Sequence, residues 1–428
     1  VSSTRKIGDP GHETIDRSAV DVGSAAVRVA DVVIVGGGPA GCAAAITLAR
    51  AGRDVVVLDK ARFPRDKFCG DGLTTGALRL LDRLGLDPKQ VPSWRVVEDV
   101  VLRTPSGREV TFPLPRTGGQ FAAVARRVDL DQAMVELARE AGARVLDGHA
   151  CTAATPRPDR MIVEADGVGP IQARYVIGAD GMWSPLRKML RVGVANYLGE
   201  WHAFRQYFRD VGPVAARDLY VSFEPDFLPG YFWSFPVGDG RANVGFGIRR
   251  DGGLTVRAMK ALWPEILARP HIAARLGPEA KPESPHRAWP IPARVDRVIL
   301  TAGRALFVGD AAAATDPMTG EGIGQALASG IWAAEAMLAA GPDDADRAVV
   351  YYRRAVHAGL VRDHRLADVL SRAMGTASGV RAAVWAAGST DWTRRNFARW
   401  LFEDYPRALL ATPSRWRPGM FTGPGAYD

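Results

Sequence analysis

Residues Val29–Lys60 read VADVVIVGGGPAGCAAAITLARAGRDVVVLDK. Val32 to Val35 form a short apolar run suited to a parallel strand buried on both faces. Gly36, Gly38 and Gly41 then complete GxGxxG, with Pro39 and Ala40 in the first helical turn, where a proline sacrifices no hydrogen bond. Ala43 to Ala51 predict a helix that Gly52 can close. A second apolar run, Val55 to Leu58, delivers Asp59 and Lys60 at its end. An acid about 20 residues beyond the glycines is where a dinucleotide fold hydrogen-bonds a ribose hydroxyl. Gly36 permits the tight turn, Gly38 lets a pyrophosphate approach the backbone on the helix N-terminus, and Gly41 lets helix and strand pack closely. Asp59 favours a ribose with a free 2′-hydroxyl, which disfavours NADP and leaves NAD and FAD.

The chain has 428 residues, enough for two or three modules, with 47% hydrophobic and 24% charged residues, as in ordinary globular proteins. No stretch of about 20 uninterrupted apolar residues predicts a spanning helix. Residues 1–28 lack the apolar core of a signal peptide and read as a disordered leader. Three cysteines, Cys42, Cys69 and Cys151, are too few and scattered for a disulfide framework or a metal site, so a cytoplasmic setting is the default expectation. The net charge of +8 comes from dispersed arginines, with no nucleic-acid-binding module.

Two later segments repeat the strand–acid–helix pattern. ARYVIGADGMWSPLRKML places Asp180-Gly181 between a strand and a basic helix. ALFVGDAAAATDPMTGEGIGQALASG places Gly309-Asp310 after an apolar strand, with a helix starting from about Gly322. Such a helix terminus can bind a phosphate or a ring, and an acid at a strand end can take a hydroxyl of an open polyol chain. Asp180 can equally serve as a turn acid that holds local N–H groups.

In this order the three motifs resemble the fingerprints of the p-hydroxybenzoate hydroxylase superfamily of FAD enzymes, from about Ala30 to Ala340. The resemblance implies FAD, with Asp59 on the ADP ribose and Asp310 on the ribityl chain. It also implies an arginine contact just before the second helix at Arg126, with its neighbour Arg127 as the alternative.

YFWSFPVGDGRANVGFG, residues 231–247, narrows the match. Tyr231, Trp233, Phe235, Pro236 and, after eight intervening residues, Gly245 resemble the signature of the geranylgeranyl reductase family, and FPRDKFCGDGL resembles its Cys-Gly-Asp loop. Phe68 departs from a proline frequent there. Period-two alternation puts the three aromatics on one strand face, Asp239-Gly240 reads as a turn, and Asn243 to Ile248 as the return strand. An aromatic wall opposite glycines suits an apolar chain. Alternating aromatics can also be plain core, and it is the complete motif that favours a substrate cavity.

The resemblance implies saturation of carbon–carbon double bonds in a prenyl chain, a geranylgeranyl group or the side chain of menaquinone, by reduced flavin. NAD(P)H or another external donor would supply the electrons. Cys69 is the candidate beside the flavin for orienting substrate or assisting proton delivery, with simple packing as the equal alternative. Cys42, Cys151, His202, His271 and His286 read as structural. Two rivals share the fold: an FAD-dependent monooxygenase of secondary metabolism, and a prenyl-binding protein without redox chemistry. Halogenases carry WxWxIP, from which Tyr231 and Phe235 depart.

The expected architecture is α/β. A discontinuous Rossmann-type FAD domain (29–95, 121–191 and 297–340) carries an inserted antiparallel β-rich substrate domain (96–120 and 192–296) and C-terminal helices with a tail (341–428). A hairpin is expected at Val100 to Phe112 and a helix at Arg257 to Leu276. Trp385, Trp392, Trp400 and Trp416 lie among arginines near the C-terminus. Packing on the FAD domain accounts for them, and peripheral contact with the inner face of a membrane is the second reading. The expected partner is a lipophilic small molecule, and nothing in the sequence reports the oligomeric state.

Overall fold

A computed structural model describes residues 28–252 and 255–427. The leader expected at 1–28 lies outside them except for Arg28, which already belongs to the first strand. Strand β1 (Arg28–Val35), helix α1 (Pro39–Arg50) and strand β2 (Val55–Asp59) form the opening βαβ unit. Val33, Ile34, Val55 and Val57 have no exposed surface, as expected of strands in a buried parallel layer. β1 is central: it pairs in parallel with β2 on one side and with Gly169–Gly178 on the other. Arg144–Asp147 extends the sheet beyond β2, and Ala305–Phe307 extends it beyond Gly169–Gly178. The strand ends at Asp59, Gly178 and Phe307 therefore open onto one edge, where ligands of such sheets bind.

Helix Ile323–Ala340 is long and apolar enough to cross a membrane, yet 72% of it is buried inside the fold. It packs on α1 so closely that a β-carbon on Gly330 would stand 2.2 Å from the Ala40 carbonyl oxygen.

The second sheet runs Lys281–Pro282, Trp201–Arg209, Arg241–Arg249, Tyr231–Gly238, Leu219–Ser222, Asp99–Arg103 and Glu109–Pro113, with Arg287–Ile291 also on Trp201–Arg209. It is antiparallel except between Leu219–Ser222 and Asp99–Arg103, two strands from separate insertions. The Asp99–Arg103 and Glu109–Pro113 hairpin turns at Gly107, which has φ +88°. Asp239 and Gly240, with φ of +52° and +66°, close the aromatic hairpin in the two-residue geometry that matches strand twist. One face of this sheet is covered by Val256–Leu267 and Pro270–Leu276, where Phe246 stacks on Trp263 at 5.8 Å. The single helix expected over 257–276 is thus two, because Pro270 starts a new first turn.

The other face receives the C-terminal helices. Phe112 packs in one apolar cluster with Val380, Val384, Ala387 and Ala398, from helices Ala377–Ala387 and Asp391–Leu401. The tail then returns to the body: Ala426 bridges Gln120, and Arg399 holds the Phe421 and Gly423 carbonyls.

Candidate FAD and substrate site

Gly36 has φ +109°, and a β-carbon there would stand 2.2 Å from the Ala179 carbonyl oxygen, so only glycine fits the turn out of β1. Asp59, at the end of β2, accepts hydrogen bonds from the Gly37 N–H at 2.8 Å and the Ala61 N–H at 2.9 Å. Two cations border the space over this loop. A β-carbon on Gly38 would lie 3.7 Å from Arg65 Nη2 and 4.0 Å from Arg127 Nη2. Fully buried Asp131 fixes both: Arg127 donates to it at 2.6 and 2.8 Å, and Arg65 at 2.9 Å. Glycine backbone, helix N-terminus and two guanidinium groups make an anion cradle.

Asp180 Oδ2 accepts the Leu186 N–H at 2.9 Å, so the residue does serve as a turn acid. Its Oδ1 is buried without a partner and faces a cavity wall where a ligand hydroxyl can donate. Burial pushes the Asp180 carboxyl above its ordinary value. Asp310 borders the same cavity, with Lys67 Nζ 3.9 Å from its Oδ2. Lys67 Nζ also sits 4.1 Å over the Trp289 ring, and burial lowers its pKa. Gly322 forms the N-cap of helix Ile323–Ala340, whose first turn opens on the cavity. Asp59, Lys60, Asp180, Gly309, Asp310 and Gly322 thus share one wall with Gly36, Gly38, Pro39 and Ala40. Two acids for hydroxyls, an anion cradle and an orphaned acceptor fit the ribose, pyrophosphate and ribityl groups of FAD.

The cavity, about 1480 Å³, continues past this cradle. Cys69 and Asp71 border its waist, and Tyr231, Trp233 and Phe235 form its wall, with successive ring centroids 6.1 and 6.3 Å apart. The Tyr231 hydroxyl donates to the Thr319 carbonyl. Trp233 Nε1–H donates to Asn243 Oδ1 at 3.0 Å, and Asn243 Nδ2 donates to the Cys69 carbonyl and to Asp71 Oδ2, each at 2.8 Å. The aromatic strand therefore holds the Cys-Gly-Asp loop through one asparagine. Asp71, at φ +67°, also accepts the Tyr207 hydroxyl at 2.6 Å, and burial pushes its carboxyl up to about 6 against the pull of Arg205. Burial raises the Cys69 thiol as well, opposed by Arg127.

Beyond the aromatics the cavity reaches Met374, Trp392, Phe397 and Trp400 of the C-terminal helices. Those helices pack mainly on the second sheet, not on the FAD domain as expected, and they extend the apolar wall. Trp392 is 59% exposed and Phe421 41% exposed, and both line the cavity with their rings 6.2 Å apart, so its far end reaches the surface beside this pair. Trp385 and Trp416 stand exposed elsewhere on the same part of the chain.

Three expected contacts fall elsewhere. Arg126 lies off the cavity: its guanidinium covers the Tyr207 ring at 4.4 Å and lies 3.6 Å from Glu283, because consecutive residues entering a helix point in different directions. Arg127 takes the cavity position. Pro236 is off the wall, paired with Ala242 beside a register shift. Gly245 is off it too: a β-carbon there would stand 2.3 Å from the Trp233 ring and 2.2 Å from the Phe204 carbonyl oxygen, so this glycine makes room for the indole. Gly41 likewise serves packing, with Gly36 O only 1.9 Å from where its β-carbon would be. His202 contacts Arg250, His271 pairs with Glu224, and His286 stacks on Phe204, all outside the cavity.

Arg65, Lys67, Asp71, Asn243 and Glu321 were not singled out from the sequence. The loop FPRDKFCGD carried the signal for the first three, as cations and an acid flanking the quoted cysteine. Among the described residues no cluster of His, Cys, Asp and Glu is arranged to hold a metal.

Fold and cradle together define an FAD-binding flavoprotein. The profile of the FAD binding domain matches residues 29–350. The menaquinone reductase of Mycobacterium tuberculosis is 36% identical over 324 residues, 72% of this chain and 76% of that protein. Digeranylgeranylglycerophospholipid reductase 2 of Methanopyrus kandleri is 34% identical over 312 residues, 71% of this chain and 76% of that protein. Among solved structures, a geranylgeranyl bacteriochlorophyll reductase-like protein from Thermoplasma acidophilum superposes with a TM-score of 0.76 at 21% identity, covering 91% of this chain and all of that one. The chain belongs to the FAD-dependent oxidoreductase family that contains these reductases.

Proposed function

We propose that the protein saturates carbon–carbon double bonds of a lipophilic prenyl chain, a geranylgeranyl group or the side chain of a menaquinone. One observation carries this reading: the cavity runs without a break from the FAD cradle, past Tyr231, Trp233 and Phe235, to Trp392 and Phe421 at the surface. A prenyl chain is apolar along its whole length, and burying it is worth about 25 cal/mol per Å². The wall offers it aromatic faces whose polar tips are already occupied. Trp233 gives its N–H to Asn243 and Tyr231 its hydroxyl to Thr319, so no donor is stranded when an alkyl chain displaces water.

Reduced FAD, when bound, supplies a hydride. With FAD bound, Arg65, Arg127, Asp59 and the β1–α1 loop would hold its pyrophosphate and ribose, and Asp180 and Asp310 would take its open-chain hydroxyls. The aromatic wall orients the alkene and excludes water and oxygen from it. NAD(P)H or another external donor restores the reduced state.

Trp392 and Phe421 are near Arg394, Arg395 and Arg417 in sequence, and in this reading their end of the cavity rests on the inner face of an anionic membrane, where prenyl lipids reside. Flotation with anionic liposomes tests this contact, and no association at low salt rejects it. The chemistry is tested by incubating the reduced holoprotein with menaquinone or a geranylgeranyl lipid without oxygen. Products heavier by two hydrogens per alkene are expected, and unchanged masses reject the reading.

A further inference from the structure

Two glutamates meet where the cofactor cradle joins the aromatic wall. Glu321 lies between Gly320 and Gly322. A β-carbon on Gly322 would be 3.9 Å from Asp310 Oδ1, and one on Gly320 would be 3.6 Å from the Tyr231 hydroxyl. Glu321 thus stands between the acid assigned to the ribityl chain and the first residue of the substrate wall, and it borders the cavity. Consecutive residues of the adjoining helix hold one carboxylate each. The Gly324 N–H donates to Glu321 Oε1 at 2.8 Å, and Gln325 Nε2 donates to Glu403 Oε1 at 2.8 Å. Glu403 also accepts the Thr74 hydroxyl at 3.2 Å and lies 3.5 Å from Arg407 Nη2.

Gln325 is 5% exposed, and its Oε1 is buried without a donor. Its side chain meets the pair through Nε2, at Glu403. Burial first, and then the facing Glu403, raise Glu321 well above the carboxylate range; burial raises Glu403 as well, against the pull of Arg407. The other charged or titratable groups facing the pair are Asp316, held by Arg407 and with His364 nearby, together with Tyr231 and Cys69.

We propose that Glu321 is a catalytic acid of the reductive step, handing its proton to the alkene carbon beside the one that receives the hydride, with Glu403 as the positioning residue that keeps the proton on it. This rests on the prenyl-reductase reading above. The alkene π bond breaks and two C–H bonds form. The hydride and its electron pair come from reduced flavin, the proton comes from the Glu321 carboxyl, and the carboxylate left behind is reprotonated from water. An external donor of the NAD(P)H class replaces the electrons. Glu321 suits the task better than Cys69, whose thiol donates less readily and whose place at the waist is fixed by a backbone contact to Asn243.

The test is single-turnover oxidation of the dithionite-reduced holoprotein by menaquinone, without oxygen, across pH. In the wild type the rate falls as pH rises through the Glu321 titration. Glu321→Gln keeps the Gly324 contact and is expected to bind FAD and menaquinone as before. It loses at least about 100-fold in rate, together with the pH-dependent fall. Glu403→Gln removes the facing charge and moves that fall to lower pH. Infrared difference spectra of the protein without substrate show a carboxylic-acid band that titrates in the wild type and is absent in Glu321→Gln. Wild-type rate and pH dependence in Glu321→Gln overturn the proposal alone. No oxidation by menaquinone in the wild type overturns the prenyl-reductase reading and the proposal with it.

Discussion

Trp233 donates its indole N–H to Asn243 Oδ1 at 3.0 Å, and through Asn243 it fixes both the Cys69 carbonyl and the Asp71 carboxylate. Trp233→Phe keeps an aromatic face but leaves a buried amide oxygen without its donor. The expected loss is about 1–3 kcal/mol, with weaker prenyl binding as the loop relaxes. Thermal melts and substrate titration of the variant check this. An unchanged midpoint and affinity would contradict the assigned coupling.

Gly245 is the matching cavity for that indole. Gly245→Ala forces its methyl against the Trp233 ring and the Phe204 carbonyl, a misfit costing typically 1–3 kcal/mol. The cradle lies on the other sheet, so flavin absorbance of the purified variant is expected to be normal. Its prenyl affinity is expected to drop about tenfold or more. Loss of flavin with retained prenyl binding would invert the assignment.

Gly36 and Gly38 separate folding from cofactor binding. Gly38 has φ −81°, a backbone that alanine adopts freely, and nothing crowds its β-carbon within 3.7 Å. Gly38→Ala is expected to melt like the wild-type apoprotein yet lose FAD, since its methyl occupies the space for the pyrophosphate. Gly36→Ala is expected to lose both stability and FAD, because φ +109° and the Ala179 carbonyl forbid a side chain. Full flavin occupancy in Gly38→Ala would mean that the pyrophosphate lies elsewhere.

Asp71 links pH to stability. Its folded pKa of about 6 exceeds the ordinary 3.8, so the folded state binds the proton more tightly than the unfolded chain. That contribution is full below the unfolded value and is lost as pH rises through the folded one, a fall of about 3 kcal/mol. Asn tolerates the left-handed backbone and carries no charge. Asp71→Asn is therefore expected to gain stability over the wild type between pH 4 and 7, read by denaturant midpoints at each pH. Parallel pH curves for the two proteins would show that Asp71 does not ionise there.

The sequence exposed what is local. The βαβ unit, the Asp239-Gly240 turn and the Gly309-Asp310 loop each depend on residues within one short segment, where periodicity and turn chemistry act directly. Which of Arg126 and Arg127 faces the cradle did not follow, because adjacent helix residues differ by about 100° in direction. The Asn243–Asp71 bond joins residues 172 positions apart, a pairing that no local pattern encodes. The C-terminal helices carry the same apolar stripe whether they cover a core or line a cavity. Phe397 and Trp400 disclosed their place only once the second sheet stood opposite.

The most direct measurement follows the flavin of the dithionite-reduced holoprotein in a stopped-flow cell without oxygen, after mixing with menaquinone and, separately, with its fully saturated counterpart. Return of oxidised-flavin absorbance with menaquinone alone, matched mole for mole by a product two hydrogens heavier, is the predicted result. No return with menaquinone, followed by rapid oxidation and oxygen insertion once air is admitted, would contradict it and identify a monooxygenase.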